Sequence, residues 1–236
     1  MSSRLVRFGF DLVTKLIEMF GLASLGKRLR SWFVSEQEAF WSQITNSLDN
    51  LIASGSGDVF IDLGAHTGEQ AIPASFHLPV IAFEPDPIAA RNLRQRMSSL
   101  TEAQQITVYE VAASDKSEHS ILYGHTKGPQ TTASSSMMRK KRNIDTLLQY
   151  PIETIDIGAF LKSLPYSNMI IKCDVEGAEY KVLNSIRRHK VSTKILAMYT
   201  EFHDEKIPFQ WLPSLKFTFL NRYKLKISRK KFKEWH

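Results

Sequence analysis

The segment Val59–Gly68 constrains the fold of this chain more than any other. Its first four residues, ending in Asp62, predict a buried strand, and Gly64 and Gly68 predict a turn into the following helix. A second apolar run begins at residue 80 and ends in the acidic Glu84. Where two such strands lie parallel, glycine lets the backbone approach a ligand, and the acid accepts hydrogen bonds from ribose hydroxyls. Together the two segments predict an α/β fold that binds a nucleoside.

The glycine spacing of this turn narrows the class of nucleoside. Gly64 and Gly68 form a G-x-x-x-G pattern, whereas dinucleotide-binding proteins carry the denser G-x-G-x-x-G beside a pyrophosphate. The sequence therefore favours a nucleoside without phosphates, such as S-adenosylmethionine. We expect Glu84 to bind both ribose hydroxyls, because a carboxylate accepts from two donors. Asp62 and Gly64 are expected to shape the turn beneath the methionine part of the cofactor.

Strands and helices alternate after residue 57, which predicts a mostly parallel sheet with right-handed crossovers. Apolar residues at 215–220 and 223–227 predict two more strands, the last of which pairs antiparallel. Residues 1–55 carry two helical apolar patterns, so we expect a helical extension before a catalytic domain over 56–236. The predicted strands cover 58–62, 80–84, 106–111, 168–173 and 194–201, and the predicted helices lie near 68–77, 87–99, 156–163 and 177–187.

Residues 124–143 interrupt the alternation. They combine glycine, serine and threonine residues with the basic stretch Arg139–Arg142. Long insertions in compact domains often act as lids or binding loops, and a solvated linker is the alternative. The residues themselves leave both interpretations open.

The stretch Asn168–Leu183 predicts a buried strand, an acidic loop and a helix. Together with the earlier segments, it resembles the FkbM family of S-adenosylmethionine-dependent methyltransferases, from about Asp58 to His203. The resemblance implies a Rossmann-like class I methyltransferase fold and methylation of hydroxyl groups, commonly on sugars or natural products. The family commonly has asparagine where this chain has His66. The matching stretches are Ile61–Gly68, Ala82–Asp86, Ala112–Asp115, Thr154–Asp156 and Lys172–Glu179.

The expected cofactor contacts follow the first three strands of the predicted domain. Small residues after the third strand, such as Ala112, would leave space for the adenine ring, and Asp115 is expected to reach the adenine amine or to support the turn. The family often has a serine-containing stretch within 124–143, which favours substrate contact for that loop. The residues expected to contact the cofactor are Asp62, Gly64, His66, Gly68, Glu84, Ala112 and Asp115.

Three side chains at the ends of the fourth and fifth strands are candidates for catalysis. Asp174 follows the fourth strand, and strand alternation predicts that Glu201 and His203 share one face after the fifth. In one hypothesis His203 is a general base that removes the proton of an acceptor hydroxyl, since histidine titrates near neutral pH. In the other, Asp174 and Glu201, with or without His203, hold a divalent cation such as Mg²⁺ that acidifies the hydroxyl.

The net charge of +7 is concentrated at the two ends of the chain. Residues 1–33 carry +4 and residues 222–236 carry +6, and subtracting both from the total leaves residues 34–221 at −3. Basic ends on an acidic body fit membrane phosphates, RNA or an acidic partner. Residues 1–33 also include an amphipathic helical pattern, which favours packing against the core or a second subunit, with contact to a membrane surface as the alternative.

These patterns favour an S-adenosylmethionine-dependent O-methyltransferase, and the resemblance to the FkbM family implies that it acts on a hydroxyl of a sugar, glycan or small natural product. An RNA 2′-O-methyltransferase is the weaker enzymatic alternative, and a non-catalytic scaffold recruited through the basic termini is a third. The chain lacks the N/D-P-P-Y/F motif of amino methylation, which favours oxygen as the acceptor. The pattern of an apolar core followed by a small-residue cleavage site is missing near residue 1, and no run reaches the roughly 18–20 apolar residues that a membrane span needs. We therefore expect a cytoplasmic protein, with peripheral membrane contact as a variant.

Overall fold

A computed structural model of the protein describes residues 46–100, 105–128, 132, 134–203, 207 and 232–235. The first helix of the predicted N-terminal extension and the expected strands at 215–220 and 223–227 lie outside these residues. The second predicted helix is described over its end, residues 46–53 (α1), where Leu48 and Ile52 are buried. These two residues are four apart, as expected for one face of a helix.

A six-stranded sheet forms the centre of the described fold. Its strand order is β3-β2-β1-β7-β8-β9, and every neighbouring pair runs parallel. The order reverses at β1, which is the arrangement that leaves a crevice at the carboxyl ends of the strands. The strands are β1 Val59–Leu63, β2 Val80–Phe83, β3 Ile106–Tyr109, β7 Met169–Cys173, β8 Ile195–Glu201 and β9 Phe232–Trp235.

The central strands are apolar because both faces of the sheet are covered. All five residues of β1 and all five of β7 are buried, and alternate residues of each strand, which share one face of the sheet, form a core with residues of the flanking helices. Cys173 belongs to this core, where burial raises the pKa of its thiol well above the ordinary value. The helices are α2 Ala71–Ala74, α3 Pro87–Ser98, α4 Ile157–Ser163 and α5 Glu179–Arg188, with a 3₁₀ turn at Val191–Lys194.

The Rossmann-like class is confirmed, with one local difference from the prediction. The helix expected over 68–77 is reduced to Ala71–Ala74, in which Pro73 allows only the opening turn. The last strand within the described residues, β9, pairs parallel with β8, and the antiparallel strand predicted at 223–227 lies outside those residues. A parallel partner requires a long crossover connection, and residues 202–231 provide that length.

A second sheet of three strands was not predicted from the sequence. Its order is β4-β6-β5, with β4 Ala112–Ser114, β5 Glu118–His125 and β6 Ile144–Asp156. β5 and β6 pair antiparallel, and their register shifts between Tyr123 and Gly124. Residues 126–143 connect the two strands and hold most of the predicted insertion. Among the residues that the structure describes, no helix is both long and apolar enough to cross a membrane.

Candidate active site

The carboxyl ends of β1, β2 and β7 meet at one edge of the main sheet. The amide of Gly64 donates to the carbonyl of Phe83 at 2.9 Å, and the amide of Asp174 donates to the carbonyl of Leu63 at 2.9 Å. A cavity of about 360 Å³ opens at this edge and is lined by the residues that follow all three strands. Its volume and its position at the switch of strand order are those of a small-molecule site.

Gly64 allows the chain after β1 to pass close to the chain after β7. Its φ is +84°, and a Cβ at this position would lie 1.9 Å from the carbonyl oxygen of Asp174. A side chain there would therefore displace backbone rather than another side chain. The predicted glycine turn thus brings two edges of the cavity together, and Gly64 itself lines the cavity.

Glu84 is held at the end of β2 by two backbone amides. Its Oε2 accepts from the amide of His66 at 2.7 Å, and its Oε1 accepts from the amide of Asp86 at 2.8 Å. The side chain borders the cavity and is otherwise buried. Burial raises the pKa of Glu84 to about 7, although the two amide bonds oppose the shift. Each oxygen keeps a lone pair with which it can accept a further hydrogen bond.

His66 and Gly68 complete the turn after β1 in different ways. His66 lines the cavity and has a φ of +48°, a conformation that histidine and asparagine adopt more readily than most residues. Its Nε2 lies 2.8 Å from Oγ1 of Thr132, so it also contacts the insertion loop. Gly68, at φ +90°, packs against Leu93 and does not line the cavity. Of these two expected cofactor contacts, only His66 borders the cavity.

Asp62 lies behind the cavity and faces a lysine that sequence reasoning missed. Its Oδ1 is 3.3 Å from Nζ of Lys172, and Lys172 donates to the carbonyl of Gly64 at 2.7 Å. Burial raises the pKa of Asp62 to about 6 against the effect of Lys172. Burial alone would lower the pKa of Lys172, but the charges of Asp62 and Asp174 outweigh it and raise the pKa. A charged residue inside the apolar run of β7 is the signal that could have found Lys172.

The residues after β3 divide between the cavity and the surface. Ala112 and Ala113 line the cavity beside Phe83, and their small side chains leave space there for a flat ring. Asp115 does not line it; its carbonyl accepts a hydrogen bond from Arg188. The structure therefore brings Ala112 to the cavity, whereas Asp115 lies outside it and meets Arg188 of α5 through its backbone.

The insertion loop forms one wall of the cavity. Thr132 and Ser134–Met137 line it opposite the strand ends. Ser135 donates to Oδ2 of Asp86 at 3.2 Å, and Ser136 donates to the carbonyl of Glu176 at 2.6 Å. These contacts hold the described part of the loop against the residues after β2 and after β7, where it forms a wall of the cavity.

His203 lies in a buried cluster of carboxylates beside the cavity. Its Nδ1 is 2.8 Å from Oε1 of Glu179, and its Nε2 is 3.0 Å from Oε2 of Glu176. Nε2 is also 3.7 Å from Asp174 and 3.5 Å from Glu201. Burial would lower the pKa of His203, but the hydrogen bond with Glu179 and the surrounding negative charges raise it above the ordinary value. His203 is therefore held by the surrounding carboxylates, at a position that does not border the cavity.

The three catalytic candidates are brought together, but they border the cavity to different extents. Asp174 and Glu176 line it, whereas Glu201 and His203 do not. Oδ1 of Asp174 is buried and accepts no hydrogen bond from the described residues. Asp174 is thus the candidate best placed to meet an acceptor.

The expected Mg²⁺ site does not fit this cluster. Ligand atoms of Asp174, Glu176 and His203 lie within 4.8 Å of one another, while Glu201 is not in that group. The ammonium group of Lys141 lies 2.5 Å from Oε2 of Glu176, and the raised pKa of His203 favours its cationic form. A divalent cation would have to displace the ammonium group of Lys141 from Glu176 and compete with the proton that His203 binds, so these residues do not fit a metal ion.

Comparison with known families agrees with this geometry. The family model described as the methyltransferase FkbM domain matches residues 62–235, which extend from β1 to β9. No curated protein matches the chain significantly. The matched range contains every residue of the cavity wall.

Proposed function

This chain belongs to the FkbM family of S-adenosylmethionine-dependent methyltransferases, and we propose that it methylates a hydroxyl group of a sugar, glycan or small natural product. The observation that carries the proposal is the position of Asp174. Its carboxylate borders the cavity at the end of β7, and one of its oxygens is buried without a hydrogen-bond donor. Oδ1 itself is shielded, but the Asp174 side chain is partly exposed, so its carboxylate can meet an acceptor hydroxyl in the cavity and accept the proton.

The residues around the cavity fit S-adenosylmethionine. Glu84 would hold the ribose through its two oxygens, Ala112 and Ala113 would border the adenine ring, and the turn at Gly64 would lie against the methionine part. The bound cofactor supplies a methyl group already activated by the sulfonium. The enzyme then contributes mainly the alignment of the acceptor oxygen with that methyl group.

Asp174 would receive the acceptor proton. Before that step, the basic groups near Asp174 stabilise its ionised carboxylate. Nζ of Lys172 lies 3.6 Å from Oδ2 of Asp174, and Nε2 of His203 lies 3.7 Å from Oδ1. In this proposal His203 is not the base. It holds the carboxylates in place and offsets their negative charge. Glu201 supports His203 from β8, at 3.5 Å.

The polar wall opposite the strand ends supports a hydroxylated acceptor. Thr132, Ser134, Ser135 and Ser136 line the cavity and offer hydroxyl and backbone groups, while the acidic side chains lie across from them. Neutral polyols hydrogen-bond to both kinds of group. This wall is compatible with sugar or natural-product acceptors, which the resemblance to the FkbM family implies.

A labelled-methyl assay tests the proposal directly. Wild-type enzyme and Glu84→Gln would be incubated with methyl-labelled S-adenosylmethionine and a panel of methyl glycosides and polyhydroxylated compounds. We expect label in a product that survives mild alkali, as a methyl ether does and a methyl ester does not. Label that mild alkali releases from every product, as it does from a methyl ester, would overturn methyl transfer to a hydroxyl. The panel should include RNA at low and high salt, because RNA 2′-O-methylation predicts a steep loss with salt.

The sequence-based expectations for location and partners stay predictions. Residues 1–33 lie outside the described part, so their contact with a membrane surface or a second copy rests on the amphipathic basic pattern. Co-sedimentation with anionic liposomes, with and without residues 1–33, tests the membrane contact. Equal weak binding by both forms would contradict it and leave a cytoplasmic enzyme without a membrane contact.

A further inference from the structure

One lysine of the insertion loop is buried, although its neighbours are exposed. In the stretch Arg139–Arg142, the side chain of Lys141 is 0% exposed, while Arg139, Lys140 and Arg142 are exposed. Lysine is almost never fully buried unless it is paired, because an ammonium group loses its hydration there. The position of Lys141 therefore requires a specific partner, and the sequence alone does not distinguish it from Lys140.

Lys141 connects the cavity wall to the loop after β7. Its Nζ donates to the carbonyl of Ser134 at 2.7 Å and to Oε2 of Glu176 at 2.5 Å. Ser136 donates to the backbone carbonyl of Glu176 at 2.6 Å. Lys141 and Ser136 therefore both contact Glu176, one at its side chain and one at its backbone.

Glu176 adopts a backbone conformation that needs such support. Its φ is +53°, in the left-handed region that disfavours residues with a Cβ, and Gly177 follows at φ +116°. The Glu176 carboxylate lines the cavity and also lies 3.0 Å from Nε2 of His203. The same carboxylate thus joins the insertion loop to the buried histidine cluster.

We propose that Lys141 is a positioning residue for methyl transfer, which holds the Glu176 carboxylate between the insertion loop and His203. It does not border the cavity itself; it acts through Glu176. The alternative is that Lys141 only completes the packing of the loop. The two alternatives differ in what happens to Glu176, and hence to His203, when the ammonium group is removed.

The charges around His203 make this difference measurable. They are Glu179 from α5, Asp174 and Glu176 from the loop after β7, Glu201 from β8, and Lys141 through Glu176. If Glu176 stays in place without Lys141, its negative charge is less compensated and His203 binds its proton more tightly. If Glu176 moves away, His203 loses one of the groups that hold its proton.

The first experiment is an imidazole ¹⁵N NMR titration of His203 in the full chain. We expect Lys141→Met to lower the apparent pKa of His203 by roughly half a pH unit or more, because Glu176 is released. Lys141→Arg keeps a cation at this position, so the apparent pKa of His203 should stay close to its wild-type value. Lys140→Met is the matched control, since Lys140 is an exposed neighbour of the same type. An unchanged or raised value in Lys141→Met would overturn the proposal.

A double-mutant cycle with Glu176→Gln supplies the second readout. Calorimetry would measure S-adenosylmethionine binding for the wild type, Lys141→Met, Glu176→Gln and the double variant. We expect each single variant to weaken binding by roughly threefold to tenfold and the double variant to be no worse than Glu176→Gln. Additive losses would assign Lys141 to loop packing alone. Neither readout needs an acceptor, so failure to find O-methylation would leave this test intact.

Discussion

The backbone amide of His66 donates a 2.7 Å hydrogen bond to Oε2 of Glu84. The turn after β1 and the acid after β2 are therefore one unit, in which the glycine-containing turn fixes the carboxylate that borders the cavity. The amide of Asp86 fixes the other oxygen at 2.8 Å. Both oxygens are oriented by backbone groups, so their remaining lone pairs have a defined direction before any ligand arrives.

Replacement of Glu84 by glutamine should weaken S-adenosylmethionine binding by roughly tenfold to a hundredfold. Glutamine keeps one acceptor oxygen, but its NH₂ group would face the backbone N–H of His66 or of Asp86. Two donors cannot form a hydrogen bond with each other. The NH₂ group also cannot accept from a ribose hydroxyl, and a bound hydroxyl left unsatisfied costs about 1–3 kcal/mol of binding free energy. Isothermal calorimetry of the wild type and the variant checks this expectation.

The matched control for that substitution is Glu153→Gln. Glu153 is an exposed residue of β6, away from the cavity. The Glu153→Gln variant should bind S-adenosylmethionine as tightly as the wild type does. Equal affinity of Glu84→Gln and Glu153→Gln, both folded, would contradict the role of Glu84 in holding the ribose.

The pKa of Glu84, raised to about 7, gives a pH dependence of opposite sign for binding and for stability. The ionised carboxylate is the better acceptor for ribose hydroxyls, so affinity should increase roughly tenfold between pH 6 and pH 8. In the cofactor-free protein, the unfolded carboxyl releases its proton near its ordinary value of 4.5, before the folded one does. Its contribution to the free energy of unfolding should therefore decline as the pH rises from about 4.5 to about 7.

Calorimetry across this pH range, and urea denaturation without cofactor, measure the two effects. Glu84→Gln removes the titrating group and should flatten both profiles relative to the wild type. The pKa of Asp62 is also raised, to about 6, so the free energy of unfolding of Glu84→Gln should still decline slightly as the pH rises. A binding profile that is as steep in Glu84→Gln as in the wild type would assign the pH dependence to another group.

The parallel core of the fold was predictable because buried parallel strands are continuous apolar runs. β7 was expected at 168–173 and lies at Met169–Cys173, and α3 was expected at 87–99 and lies at Pro87–Ser98. Asp86 caps α3 by accepting from the amides of Ile88 and Ala89, with Pro87 at the first position. Such local signals agree with the tertiary structure, so the strand ends that form the site were predictable too.

The second sheet and the buried lysines were not predictable in the same way. β6 is half-exposed, contains Pro151 and gains its pairing from β5 and β4, so its stability depends on tertiary contacts more than on pattern. Lys141 lies in a basic run whose members are alike in sequence. Its burial follows from the position of Glu176, which is 35 residues further along the chain.

Asp174→Asn should separate catalysis from cofactor binding. If Asp174 accepts the proton of the hydroxyl, the substitution should lower kcat by roughly a hundredfold or more and leave S-adenosylmethionine affinity within about twofold. Initial rates with the acceptor found in the labelled-methyl assay, together with calorimetry, measure both quantities. Asp145→Asn, at a carboxylate outside the cavity wall, should change neither. A kcat near the wild-type value would remove Asp174 from the proton transfer.

Gly64→Ala and Gly128→Ala form a matched pair that tests the close approach after β1. Both glycines have positive φ, +84° and +95°, so alanine costs about 1–2 kcal/mol in backbone strain at either site. Only at Gly64 does the added Cβ meet backbone, 1.9 Å from the Asp174 carbonyl oxygen; at Gly128 nothing lies within 4 Å. We expect Gly64→Ala to lower the free energy of unfolding by at least about 3 kcal/mol, and S-adenosylmethionine binding to fall with it. Urea denaturation measures the free energy of unfolding of both variants. Equal losses would mean that backbone strain alone, and not the contact with the Asp174 carbonyl after β7, makes glycine necessary at residue 64.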